Sequence, residues 1–197
     1  MLKNWKGTFH VVKSRRQCGK SVLEEIIALY STLSKDKQRC YVLEPTFNQC
    51  DRLMVDLLEM VKGKPFYKNH NYIKRTINFK NGSQIRLFSA EQGEEALRGY
   101  TCEILLIDET GYISNKIINA VLPYVNVSNG PVVMVSTPRG RSGIFYDYYV
   151  MGNDPTKPLV FSYDWALEDV SALLSPERLE LYRASMDALA FRTDYEG

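Results

Sequence analysis

The chain has 197 residues, enough for one domain or two small ones. Apolar residues make up 45% and charged residues 24%, which excludes a disordered or low-complexity chain. Lys plus Arg total 25 against 23 Asp plus Glu, so bulk charge announces no nucleic-acid partner, though it leaves room for a local basic patch. Four cysteines without a CxxC pair, and two histidines in all, leave little for a structural zinc site or a histidine-based triad. No apolar run approaches the roughly 20 residues that span a bilayer. The chain reads as soluble, reduced and intracellular, with no membrane partner.

Strands and helices alternate along the chain. Residues 8–13 (TFHVVK) form a β-rich run that stops at a polar loop, 14–19. Apolar residues then recur at helical spacing over 22–33. Residues 39–43 are a short strand ended by Pro45, and Thr46 can cap a helix running to Val61 with Leu53, Leu57, Leu58 and Val61 on one face. A basic loop, 62–68, precedes two strands, 72–79 and 84–88, around Asn81-Gly82, a strong hairpin signal. Residues 103–107 (EILLI) and 132–135 (VVMV) read as strands covered on both faces. A short helix spans 116–121, a second one 144–151, and a last strand 159–163. Ser175-Pro176 opens a helix toward Phe191. The sum is an α/β fold with a mainly parallel sheet and an inserted antiparallel hairpin.

The chemistry concentrates at Ser14-Arg15-Arg16-Gln17-Cys18-Gly19-Lys20-Ser21, between the first strand and the first helix. This matches GxxxxGK[ST] except that Ser14 stands at the first glycine. Loop amides and a helix N-terminus there face phosphate oxygens, Lys20 supplies a point charge, and the Ser21 hydroxyl can hold Mg²⁺. A second element is the apolar strand ending in Asp108-Glu109. After a phosphate loop, an Asp at that place holds the ion and a neighbouring Glu polarises the attacking water. An adjacent pair of acids implies an extra strand between the loop strand and the acid strand, a slot that 132–135 fits. Its polar end, Ser136-Thr137, is either an ordinary strand end or a hydroxyl pair that senses the γ phosphate.

These residues resemble the ATPase domain of the large terminase subunit, the motor that packages DNA in tailed phages. The matching motifs are Arg16 to Ser21, Leu97-Arg98-Gly99, Asp108-Glu109, and Ser136-Thr137-Pro138-Arg139-Gly140, which resembles a coupling motif. The resemblance covers about residues 8–149 and extends less specifically to 191–196, similar to the junction where a nuclease domain begins.

The resemblance implies a RecA-like P-loop NTPase core over 1–150, with a lid or linker over 151–197 and no nuclease in this chain. It implies ATP and Mg²⁺ as cofactors, held by the loop residues 14–21 and by Ser21 with Asp108. Glu109 is the implied catalytic base, and Ser136 and Thr137 the coupling residues. Arg16 is the candidate cis arginine finger, or else binds phosphate only; Arg98 is the candidate trans finger, or else makes a surface salt bridge. Implied partners are double-stranded DNA, the portal protein, the small terminase subunit and further copies in a ring, a pentamer by resemblance, with a monomer possible in isolation. The implied location is the host cytoplasm and, transiently, the procapsid. Lys62, Lys64, Lys68, Lys74, Arg75 and Lys80 are either a DNA-contacting group or a solvated face. The rival readings are one lobe of another helicase or translocase, and a nucleotide-binding assembly module with little turnover. Thr110-Gly111, where terminases often carry residues such as Ala, and the lack of an upstream adenine-binding Gln motif depart from the pattern.

Overall fold

The computed structural model describes residues 6–15, 18–165, 176–185 and 187. Its strands are β1 (Phe9–Ser14), β2 (Arg39–Glu44), β3 (Tyr67–Asn71), β4 (Thr76–Phe79), β5 (Gln84–Ser89), β6 (Ile104–Ile107), β7 (Val132–Ser136) and β8 (Val160–Trp165). Its helices are α1 (Lys20–Leu33), α2 (Phe47–Val61), α3 (Asn115–Val121), α4 (Ile144–Gly152) and α5 (Pro176–Ser185). The strands form one sheet in the order β3-β4-β5-β2-β6-β7-β1-β8. Five of the seven strand pairings are parallel, and only β4 runs opposite to the rest, antiparallel to both β3 and β5. As expected, β7 lies between β1 and β6.

The central strands are buried on both faces because helices cover both. Alternate residues feed two cores: Val12, Val42 and Leu106 pack toward α1 and α2, and Val11, Leu43 and Leu105 pack with Ile118 of α3 and Phe145 of α4. This period of two is what a strand inside an α/β sandwich requires. Thr46 caps α2 as expected, its hydroxyl accepting from the Gln49 amide at 3.3 Å. All four cysteines are buried and none forms a disulfide, and burial pushes the Cys40 and Cys50 thiols up to about 12.

Three local expectations change. The basic loop runs into an extra strand, β3, at Tyr67, and the strand expected from Tyr72 starts only at Thr76 because residues 72–75 form the turn joining β3 to β4. The first helix begins at Lys20, and of its six apolar positions at helical spacing Val22, Ile26, Tyr30 and Leu33 face outward, each at least 36% exposed, while Leu23 and Ile27 meet the core. Glu24, Glu25, Ile27, Ala28, Ser31 and Thr32 are buried instead. Ser31 and Thr32 tolerate this by donating to the Ala28 carbonyl at 2.9 and 2.8 Å. Third, β8 pairs with β1 along its whole length, so the central sheet continues past residue 150. Residues 186 and 188–197, where α5 was expected to continue to Phe191, lie outside the described structure except for Asp187. Among the described residues no helix is long and apolar enough to cross a membrane.

Candidate active site

The parallel strands β1, β7, β6 and β2 deliver their C-terminal ends side by side, the edge at which open α/β sheets bind ligands. At that edge β1 ends in Ser14, which is fully buried, and the chain reaches α1 through the loop. Gly19 has φ of 75°, a left-handed conformation that glycine adopts without the cost borne by a side chain. It sits immediately before Lys20, the first residue of α1, so the free amides of the helix start belong to the loop. Cys18 is buried, Arg15 is half-buried and Ser21 is exposed. Arg16 and Gln17 lie outside the described residues, and with them the expected cis finger.

Lys20 is the hub. Its ammonium donates to the Thr137 hydroxyl at 2.7 Å and forms an ion pair with Glu109 Oε1 at 3.0 Å. The other Glu109 oxygen accepts from the Thr137 backbone amide at 3.2 Å and lies 3.3 Å from Ser136 Oγ. The end of β7 therefore holds both the lysine and the glutamate. Glu109 has φ of 41°, a left-handed conformation that is uncommon for a side-chain-bearing residue and that clusters at functional sites. The departure at Gly111 has a local cause. Its amide donates to Ser136 Oγ at 3.0 Å, and an added β-carbon would come within 3.0 Å of that same atom. Thr110 is buried and donates to the Ile107 carbonyl at 2.8 Å.

A cleft of about 250 Å³ opens beside this group, lined by Lys20, Ser21, Glu24, Glu44, Asp108 and Glu109 together with residues of α2. Asp108 is fixed at the end of β6, its amide donating to the Leu43 carbonyl at 3.0 Å and its Oδ1 accepting from the Glu109 amide at 2.7 Å. Burial raises the Asp108 carboxyl above the usual carboxylate range, and the neighbouring Glu109 charge raises it further. Glu44 rises to about 9 by burial and repulsion from Asp108, and Glu24 rises well above its ordinary value for the same two reasons. Neither glutamate belongs to the phosphate-loop pattern. The available signal was positional: Glu44 closes a parallel strand directly before Pro45, and Glu24 follows Lys20 by one helical turn.

The other expected residues lie elsewhere. Arg98 is exposed and pairs with Glu94 on its own loop, beside a separate depression lined by Gly99, Asn119, Ala120 and Pro123. Arg139 is exposed and stacks over the Tyr112 ring, its guanidinium carbon 4.8 Å from the centroid. The hairpin separates the six basic residues. Tyr67 pairs with Phe79 and Asn71 with Thr76, so Lys62, Lys64, Lys68 and Lys80 gather at one end of β3 and Lys74 with Arg75 at the other. Arg75 is committed to Asp51 at 2.8 Å and to the Phe47 ring. Among the acids expected to be solvated, Glu177 and Glu180 of α5 are exposed.

No family model matches the chain. The large terminase subunit of Thermus phage G20c is 25% identical over 217 aligned positions, covering 91% of this chain and 43% of that protein, so the chain spans less than half the length of this curated relative. The solved ATPase domain of the Thermus phage P74-26 large terminase superposes with a TM-score of 0.81 at 21% identity, covering 98% of this chain and 89% of that one. The large terminase of a thermophilic bacteriophage, solved in complex with ADP, superposes with a TM-score of 0.78 at 18% identity over 98% of this chain and 48% of that one. The resemblance read from the motifs is thus borne out: the fold is the RecA-like α/β fold of these domains, and in sequence the chain is similar to phage large terminase subunits.

Proposed function

We propose that the chain is an Mg²⁺-dependent ATPase that drives double-stranded viral DNA into a procapsid, as the ATPase domain of a large terminase subunit. The observation that carries this reading is the convergence of Lys20, Glu109 and Thr137 beside Asp108 and Ser21 in one cleft at the C-terminal edge of the sheet. Lys20 and the amides at the start of α1 bind the phosphates. The Ser21 hydroxyl and the Asp108 carboxylate are hard oxygen donors in the same cleft, a set that fits Mg²⁺. When bound, the ion neutralises charge on the β and γ phosphates. Glu109 accepts the proton of the attacking water as the bond from the bridging oxygen to the γ phosphorus breaks, giving ADP and phosphate. Thr137, linked to both Lys20 and Glu109, couples the two to the end of β7. An assembly module without turnover has no need of a glutamate held in this way, which favours hydrolysis.

The proposed partners are DNA, the portal protein, the small terminase subunit and further copies of the chain in a ring, a pentamer by resemblance. The site of action is the host cytoplasm and the procapsid. Arg98, exposed and away from the Lys20 cleft, is proposed to act on a neighbouring subunit. Phosphate release from ATP and Mg²⁺ tests the central claim. Glu109→Gln is expected to bind ATP as the wild type does and to release phosphate about 10²–10⁴-fold more slowly, the usual worth of a general base. Release by this variant at the wild-type rate, or a wild type that binds no ATP, overturns the reading.

A further inference from the structure

Glu24, Glu44 and Asp108 stand apart from the Lys20–Glu109 pair in one respect: all three are buried, and one carboxylate oxygen from each lies within 4.8 Å of the others. The topology forces them together. β2 and β6 are neighbours, so Glu44 and Asp108 leave adjacent strand ends, and α1 lays Glu24 over both. Among the described residues no lysine or arginine forms an ion pair with any of the three, and Lys20 is engaged by Glu109 and Thr137.

Three buried carboxylates without an ion-pair partner cost several kcal/mol each unless something neutralises them. Protons can remove the charge. They do not account for Glu24 Oε1, which is buried in a residue 1% exposed and has no hydrogen-bond partner. A divalent cation meets both demands. Metal–oxygen distances of about 2.1–2.4 Å allow two ligand oxygens to lie up to about 4.8 Å apart, and the three here all fall within 4.8 Å of one another. An all-oxygen set selects a hard ion such as Mg²⁺, Mn²⁺ or Ca²⁺.

We infer that Glu24, Glu44 and Asp108 form a divalent-cation site of the protein itself, filled without nucleotide. Asp108 is shared between this site and the position proposed for the ion that accompanies ATP, so the resting ion lies beside the catalytic cleft.

Mn²⁺ alone is the probe, added to the nucleotide-free chain and followed by the paramagnetic resonance signal of the free ion. One bound Mn²⁺ per chain is expected, displaced by Ca²⁺. Glu24→Gln and Glu44→Gln should each weaken binding by about tenfold or more, since each removes a charged ligand from a set of three. Ser21→Ala should leave it unchanged. Absence of Mn²⁺ binding by the wild type at millimolar concentration overturns the site, whatever the variants do. Binding unaltered by both glutamine variants, or abolished by Ser21→Ala, also overturns it. The readout contains no nucleotide, so its failure leaves the ATPase reading untouched, and failure of ATP binding leaves the cation site untouched.

Discussion

Lys20 and Glu109 form an ion pair at 3.0 Å, tying the lysine expected to hold phosphate to the acid expected to activate water. Both cannot serve ATP in this arrangement. A γ phosphate entering the cleft competes for the ammonium, and as Lys20 turns to it Glu109 is released toward water. Lys20→Ala is therefore expected to lower ATP affinity about 10- to 100-fold, the worth of a hydrogen bond to a charged group. Calorimetric titration with ATP measures this, and an unchanged dissociation constant would refute the phosphate-binding role of Lys20.

Arg98 offers a different kind of test, because its proposed target lies on another copy of the chain. Here it pairs with Glu94 four residues earlier, an exposed contact worth no more than about 1 kcal/mol. If it completes a neighbour's site, Arg98→Ala should lower turnover about 10³–10⁵-fold, as loss of an arginine finger does. Mixing this variant with Glu109→Gln should restore turnover, since one supplies the finger and the other an intact site. Turnover by Arg98→Ala within a few-fold of wild type, at concentrations where the wild-type rate per chain has risen to its plateau, would leave Arg98 as the surface ion pair alone.

His10 ties stability to pH. It lies on β1, 2% exposed, 2.9 Å from the Thr8 hydroxyl and 3.2 Å from Tyr163 of β8. Burial lowers its pKa from 6.5 to about 4, so the folded protein keeps the ring neutral where the unfolded chain takes up a proton. Its contribution to stability is therefore full above pH 6.5 and is lost as pH falls from 6.5 toward about 4, on the order of 3 kcal/mol in all. His10→Gln should flatten that part of the profile in urea denaturation series at stepped pH. An acid limb as steep in the variant as in the wild type would assign the loss to other groups.

The local elements were legible because each follows from short-range rules. Asn81-Gly82 marks a turn, Thr46 a helix start, and the apolar runs of β6 and β7 a covered parallel strand. The phosphate loop and the acids after β6 were equally legible, since their spacing fixes their chemistry. The face of α1 was not. Its outward stripe of Val22, Ile26, Tyr30 and Leu33 has the period of a core face, and periodicity alone does not say which side meets the sheet.

The sequence by itself determined the alternating α/β order, the loop around Lys20 and the Asp108-Glu109 pair, because these depend on neighbours within a few residues. Only the tertiary structure decided what those residues meet. Glu24, Glu44 and Asp108 are separated by 20 and 64 positions along the chain, and a parallel sheet with a helix across its edge is what gathers them. The same packing placed Lys20 against Glu109 and Thr137, 89 and 117 residues away, because β7 is inserted between β1 and β6.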